Sequence, residues 1–158
     1  MATLRQLSNR LKILQNRNTF YSEVLRAASR FEAYLVDLNQ IQLESGLNIR
    51  GEVIGTYSAA TEQIADREGT VEPKNAGSAY NFQWTGELFA GMFVTFTSEY
   101  IEIFSRAPHA ELVREKYSTL FGENVIFGLT QESLIEFVEL KLLPEIRKYV
   151  CQTLNIAA

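Results

Sequence analysis

Leu4, Leu7, Leu11 and Leu14 recur at intervals of three, four and three residues. That spacing puts one apolar stripe on a helix predicted over 3–16, with Arg5, Arg10 and Lys12 off the stripe. Asn16, Asn18 and Thr19 interrupt the pattern and offer an N-cap for a second helix. From Phe20 to Glu44 the positions Val24, Leu25, Ala28, Phe31, Leu35, Leu38 and Ile41 keep helical spacing. They predict one long helix over 20–45, stopped by Gly46, which adopts positive φ freely.

Residues 46–79 change character: Gly51, Gly55, Gly69, Gly77 and Pro73 punctuate them and apolar residues thin out. Val53 and Ile54 suggest a short strand, Thr61 to Arg67 a helical turn or two, and 68–78 an exposed loop. A loop this long and polar is expected to order on a neighbouring molecule. Tyr80, Phe82 and Trp84 alternate with Asn81 and Gln83, the signature of a half-buried strand. Thr85-Gly86-Glu87-Leu88 reads as a turn into a short helix capped by Thr85. Phe93–Thr97 and Tyr100–Ser105 are β-prone runs joined by a two-residue turn at Ser98-Glu99.

Pro108 suits the first position of a helix running to about Leu120 and stopped by Gly122. Val125–Phe127 is extended. Thr130 caps a last helix with Leu134, Phe137, Val138 and Leu142 on one face, and Pro144 should kink or restart it. The elements predict an α+β fold: long N-terminal helices on a small, mostly antiparallel sheet, then two C-terminal helices. Residues 1–17 read as a helical arm and 18–158 as a single α+β domain. Phe31, Leu35, Leu38, Phe82, Trp84, Val94, Phe96, Ile101 and Ile103 are the expected core.

The length of 158 residues suits one domain, and 46% hydrophobic with 22% charged residues is ordinary for a globular chain. No apolar run approaches the length of a membrane span, and no basic-then-apolar start suggests a signal peptide. Charge is uneven. The first 30 residues carry six basic side chains against Glu23, a net of +5; the remaining 128 carry nine basic and 18 acidic, a net of −9. A basic arm on an acidic body is either a helix with a solvated face or a segment that seeks an anionic partner.

Candidate chemistry is sparse. Cys151 is the single cysteine and His109 the single histidine, which excludes disulfide frameworks, Cys-cluster zinc sites and multi-histidine metal centres. A nucleophilic dyad would have to bring those two together, and nothing in their spacing does so. His109 is expected as an exposed residue at a helix start and Cys151 as a small buried hydrophobe. Glu132, Glu136 and Glu139 share helical spacing but lack the Glu-x-x-His pattern of di-metal bundles, and read as a solvated acidic face. The glycines form no phosphate-binding motif. No catalytic residue, metal or cofactor is expected.

The order of segments carries more. A long helix ends at Gly46; GEVIGTYSAATEQIA comes next at 51–65; a polar loop carries Lys74; FQWTGELFAGM spans 82–92; a strand pair succeeds it; LFGENVIFGLT closes the series at 120–130. This series resembles the small virion-morphogenesis and tail-completion proteins of tailed bacteriophages. Tyr57-Ser58 and Trp84-Thr85-Gly86-Glu87-Leu88 hold the places of that family's motif elements. The IFGLT segment is similar to versions from phages of Bacteroidetes. Basic residues after the Thr segment are few, Arg67 and Lys74 alone, and the helix at 3–16 has no counterpart.

The resemblance implies a non-enzymatic structural subunit of the virion neck or tail, assembled in the bacterial host cytoplasm. It implies a cyclic ring of six or twelve copies, next to the portal and to other neck or tail ring proteins, close to packaged DNA without reading its sequence, and no membrane partner. An acidic channel wall lets DNA slide rather than stick. The competing reading is a small non-enzymatic adaptor that docks a partner through its helices. Either way the arm is a candidate interaction surface. Leu4, Leu7, Leu11 and Leu14 would be anchors and Arg5, Arg10 and Lys12 would meet an acidic rim, on helix 20–45 of the same chain or in a neighbour's groove.

Overall fold

Local signals place most helix ends. A computed structural model describes residues 4–98 and 100–156. Helix α1 (Leu4–Gln15) is followed at once by α2 (Arg17–Ser29), because the Asn16 Oδ1 accepts the Thr19 amide at 3.1 Å and caps the new helix. The single helix expected over 20–45 is in fact two. Phe31 leaves helical geometry at φ −115°, ψ 27°, and α3 (Glu32–Glu44) starts after it. The break lets the Phe31 ring meet Phe137 edge-on at 6.4 Å. The Glu32 carboxylate, in the first turn of α3, accepts the Val94 amide at 3.2 Å. Helix α3 ends as expected: Gly46 sits at φ 71°, its amide bonds the Leu43 carbonyl, and the Leu47 amide bonds that of Gln42, both at 3.0 Å.

The sheet is smaller than expected. Strands β1 (Met92–Phe96) and β2 (Ile101–Ser105) pair antiparallel with Val94 opposite Ile103. The turn expected at Ser98-Glu99 includes Glu99, which lies outside the described residues. Val53 and Thr56 make only single bridges, to Leu47 and Ala79. The alternating run at 80–84 is not a strand: Phe82 sits at φ 55°, which breaks the two-residue repeat. Helix α4 (Ala59–Glu68) is capped by Ser58, whose hydroxyl accepts the Thr61 amide at 3.2 Å. The short α5 (Glu87–Ala90) precedes β1. Helix α6 (Ala110–Phe121) begins after His109, two residues later than Pro108 as its first position would have set it.

Thr130 caps α7 (Gln131–Phe137) by accepting the Ser133 amide at 3.2 Å. The irregularity expected at Pro144 takes the form of a π turn over Val138–Leu142, where the Leu143 amide reaches back five residues to Val138. Helix α8 (Leu143–Leu154) continues directly from it, with Pro144, which has no amide to donate, just past the π turn. The architecture is α+β, with N-terminal helices, a two-stranded antiparallel hairpin and C-terminal helices.

Two apolar clusters hold it together. One gathers Leu43, Ile54, Leu88, Phe89, Tyr117 and Val125–Phe127. The other packs Ala28, Leu35 and Leu38 on Val94, Ile103 and Phe137, so the hairpin lies on α3. Of the expected core, Leu35, Leu38, Val94 and Ile103 are buried. Phe31, Phe82, Trp84 and Phe96 are half-buried, and Ile101 is 39% exposed at the turn end of the hairpin, opposite Phe96. Polar side chains join the clusters. Buried Asn39 donates to the carbonyls of Ile126 (3.1 Å) and Gly128 (2.7 Å), and Gln42 accepts the Thr130 amide at 2.9 Å. These bonds fasten the irregular 125–130 segment to α3.

Candidate functional site

The motif residues converge on the loop between α4 and α5. Tyr57 precedes the Ser58 cap, and its ring meets Tyr80 edge-on at 4.8 Å. Its hydroxyl donates to the Asn81 Oδ1 at 3.0 Å and accepts the Asn81 amide at 3.1 Å. Lys74, the one lysine of the polar loop, is only 2% exposed. Its ammonium donates to the Asn81 Oδ1 and, at 2.8 Å, to the Gln83 carbonyl, and it lies 5.6 Å from the centre of the Tyr57 ring. No carboxylate stands within ion-pair distance of it among the described residues. Burial lowers its pKa, partly offset by the charge of Glu72. The loop expected to order on a neighbour is therefore fastened to its own subunit, because Lys74 needs the acceptors that Asn81 and Gln83 supply.

The second motif element closes the same loop. The Trp84 indole donates to Glu68 at 3.1 Å, and the Trp84 carbonyl accepts the Val71 amide at 3.1 Å. Gly86 turns the corner at φ 81° and is itself the N-cap of α5. Thr85, expected as the cap, stands one residue earlier, with its hydroxyl 3.4 Å from the Glu87 amide. Leu88 is 2% exposed and packs into the first cluster. Tyr57 and Trp84–Leu88 thus brace a loop. Asn81, Gln83 and Glu68, which complete the brace, carry no signal in the sequence that marks them out.

The arm is a different surface. Helix α1 packs on α8 and α2 of its own chain, with Leu14 half-buried and the Arg10 guanidinium donating to the Leu154 carbonyl at 3.0 Å. Leu7 and Leu11 remain 37% and 43% exposed, and Arg5 and Lys12 are exposed. The side chain of Leu4 lies outside the described residues.

Nothing resembling a catalytic constellation forms among the described residues. His109 is 3.9 Å from Glu87 at the start of α6, while half-buried Cys151 lines an open apolar hollow of about 920 Å³ along α8, with Leu143, Pro144 and Val150. The two are not brought together. No cluster of three potential metal ligands exists among the described residues, and no helix there is long and apolar enough to cross a membrane. No family model, curated protein or solved structure matches the chain.

Proposed function

We propose that this chain is a non-enzymatic structural protein of a tailed-bacteriophage virion, forming a ring at the head–tail junction as a neck, connector or tail-completion subunit. One observation carries the reading. The two motif elements, at Tyr57 and at Trp84–Leu88, are far apart in sequence yet brace a single loop through polar bonds. Such bracing fixes a surface for contact with neighbours, as a structural ring needs, and makes no chemistry. The uneven charge adds to it: a basic arm on an acidic body suits a subunit that docks on its like and keeps DNA mobile in a channel. The partners on this reading are other copies in a ring of six or twelve, the portal and adjacent neck or tail proteins, with packaged DNA close by but not read. The site of action is the virion neck or tail.

A small adaptor docking a partner through its helices is the second reading, favoured by the apolar hollow on α8. Negative-stain microscopy of the purified protein, alone and with portal, separates them. Closed rings support the virion reading. A monomer or dimer that never joins a portal, yet binds one helical peptide, overturns it.

A further inference from the structure

Two helical surfaces of opposite charge stay open. Helix α1 carries Arg5, Arg10 and Lys12 and no acidic side chain. Seated on α8, it leaves the edge of Leu7 and Leu11 uncovered. Arg5 and Lys12, seven residues apart, share an exposed side of the helix about 100–160° round from Leu7 and Leu11. The other surface is the outward side of α7 and the π turn. Ile135, Glu139 and Leu143 form one row there, and Glu132, Glu136 and Leu140 the row beside it; all six are exposed. Lys141 leaves this face and lies 4.6 Å from the Tyr34 ring. Glu136 accepts the Tyr34 hydroxyl at 2.5 Å. Arg147 and Lys148 bound the face at its far end.

Arg5 and Lys12 on one surface, and Glu132 and Glu139 on the other, are among the charges that make no ion pair between the described residues. Each pair is separated by seven residues, a rise of about 10.5 Å along a helix. The two pairs are therefore opposite in sign and alike in spacing.

We propose that α1 of one copy lays its open flank on the α7 and π-turn face of the next copy. Arg5 and Lys12 then meet Glu132 and Glu139, with Leu11 bordering the contact on one helix and Ile135 and Leu143 on the other. The inference rests on the ring-forming reading and names its interface. Because the two surfaces differ, the contact is head-to-tail, and it closes into a ring where the rotation per copy allows. One helix-on-helix contact is small beside the roughly 1,600 Å² of a standard interface. A single pair of copies is then weak, and the closed ring, in which every copy uses both surfaces, is the durable species.

The test is a charge swap. R5E/K12E and E132K/E139K change only exposed side chains, and thermal melting of each variant checks that it folds. Sedimentation and negative-stain microscopy should show each variant alone assembling at least about tenfold less readily than the native chain, since like charges then face each other. An equal mixture of the two should assemble again, because reversed α1 meets reversed α7 and native α1 meets native α7. Should a reversal fail to fold, K12A and E139A, each weakening assembly alone, take its place. Native rings that neither reversal disturbs, or variants that the mixture does not rescue, overturn the interface and leave the ring reading standing. Variants that form rings but fail to enter particles assign the faces to other virion proteins and overturn the self-contact. A native chain that stays monomeric at every concentration, with portal present, overturns both.

Discussion

Three donors converge on the Asn81 Oδ1: the Tyr57 hydroxyl, the Lys74 ammonium and the Gln83 amide. Removing that acceptor leaves the buried ammonium with the Gln83 carbonyl alone, so Asn81→Ala should cost about 2–3 kcal/mol in urea unfolding. Lys74→Met removes the charge and keeps the apolar stem, and should stay within about 1 kcal/mol of the native protein at neutral pH. Their pH behaviour differs too. Burial lowers the Lys74 pKa, so the unfolded chain holds that proton more tightly. The penalty is complete below the folded pKa and fades as pH climbs toward the ordinary lysine value. Stability relative to Lys74→Met should therefore rise with pH on the alkaline side of neutrality. Tyr117 acts oppositely: burial pushes its hydroxyl up to about 12. The unfolded tyrosine ionises first, and stability falls as pH passes about 10. Tyr117→Phe should flatten that fall in denaturation curves taken across pH 9–12. Little of this was legible in the sequence. The run at 80–84 carries a strand's alternation, so Asn81 and Gln83 read as solvent-facing. The aromatics find partners on an irregular backbone instead, and Asn81 and Gln83 turn to Lys74. Trp84, expected in the core, is half-buried, and Trp84→Ala should cost about 1–2 kcal/mol, well under the roughly 3–5 of a fully buried tryptophan.

Elements were legible where a local signal marking their ends was recognised. Asn16 and Thr130 each offer a side-chain oxygen to an amide three residues on, and Gly46 and Gly122 take the positive φ that stops a helix. The Ser58 cap escapes this reading, and α4 is expected only as a turn or two from Thr61. The break at Arg30–Phe31 has no such mark. Apolar spacing runs straight through it, and only Phe137, more than a hundred residues on, gives Phe31 a reason to leave the helix. The bracing of the 68–78 loop changes what a protease should see. Trypsin should cut in the exposed arm, at Arg5, Lys12 or Arg17, before it cuts at buried Lys74; time-resolved mass spectrometry of the digest reads the order, and early cleavage after Lys74 would refute the brace. Deleting residues 1–16 exposes one side of α8 and removes the Arg10–Leu154 bond. With about 1–2 kcal/mol lost, melting should drop by about 3–6 °C while the remainder folds.

At the scale of the whole molecule, the class of fold is legible in the order of helical and β-prone runs, but its division into two apolar clusters is not. The polar residues that link the clusters, Asn39 and Gln42, fall on the inner side of α3, and their partners lie in a segment with no periodicity at all. The candidate site divides likewise. Gly86 and Leu88 could be placed from their own chemistry, whereas the convergence of Tyr57 with Trp84 depends on contacts across the chain that spacing does not encode. The π turn at Val138–Leu142 bears on the molecule's outline more than its five residues suggest. It amounts to one residue slipped into an α-helix, and one residue is a phase of about 100°. Excising a single residue there would leave the backbone ladder intact yet swing all that α8 carries around the helix axis. Since α1 rides on α8 through Arg10 and Leu154, the bearing of the basic end against the acidic face is set by that slip, as the pitch of a thread sets where a bolt head comes to rest.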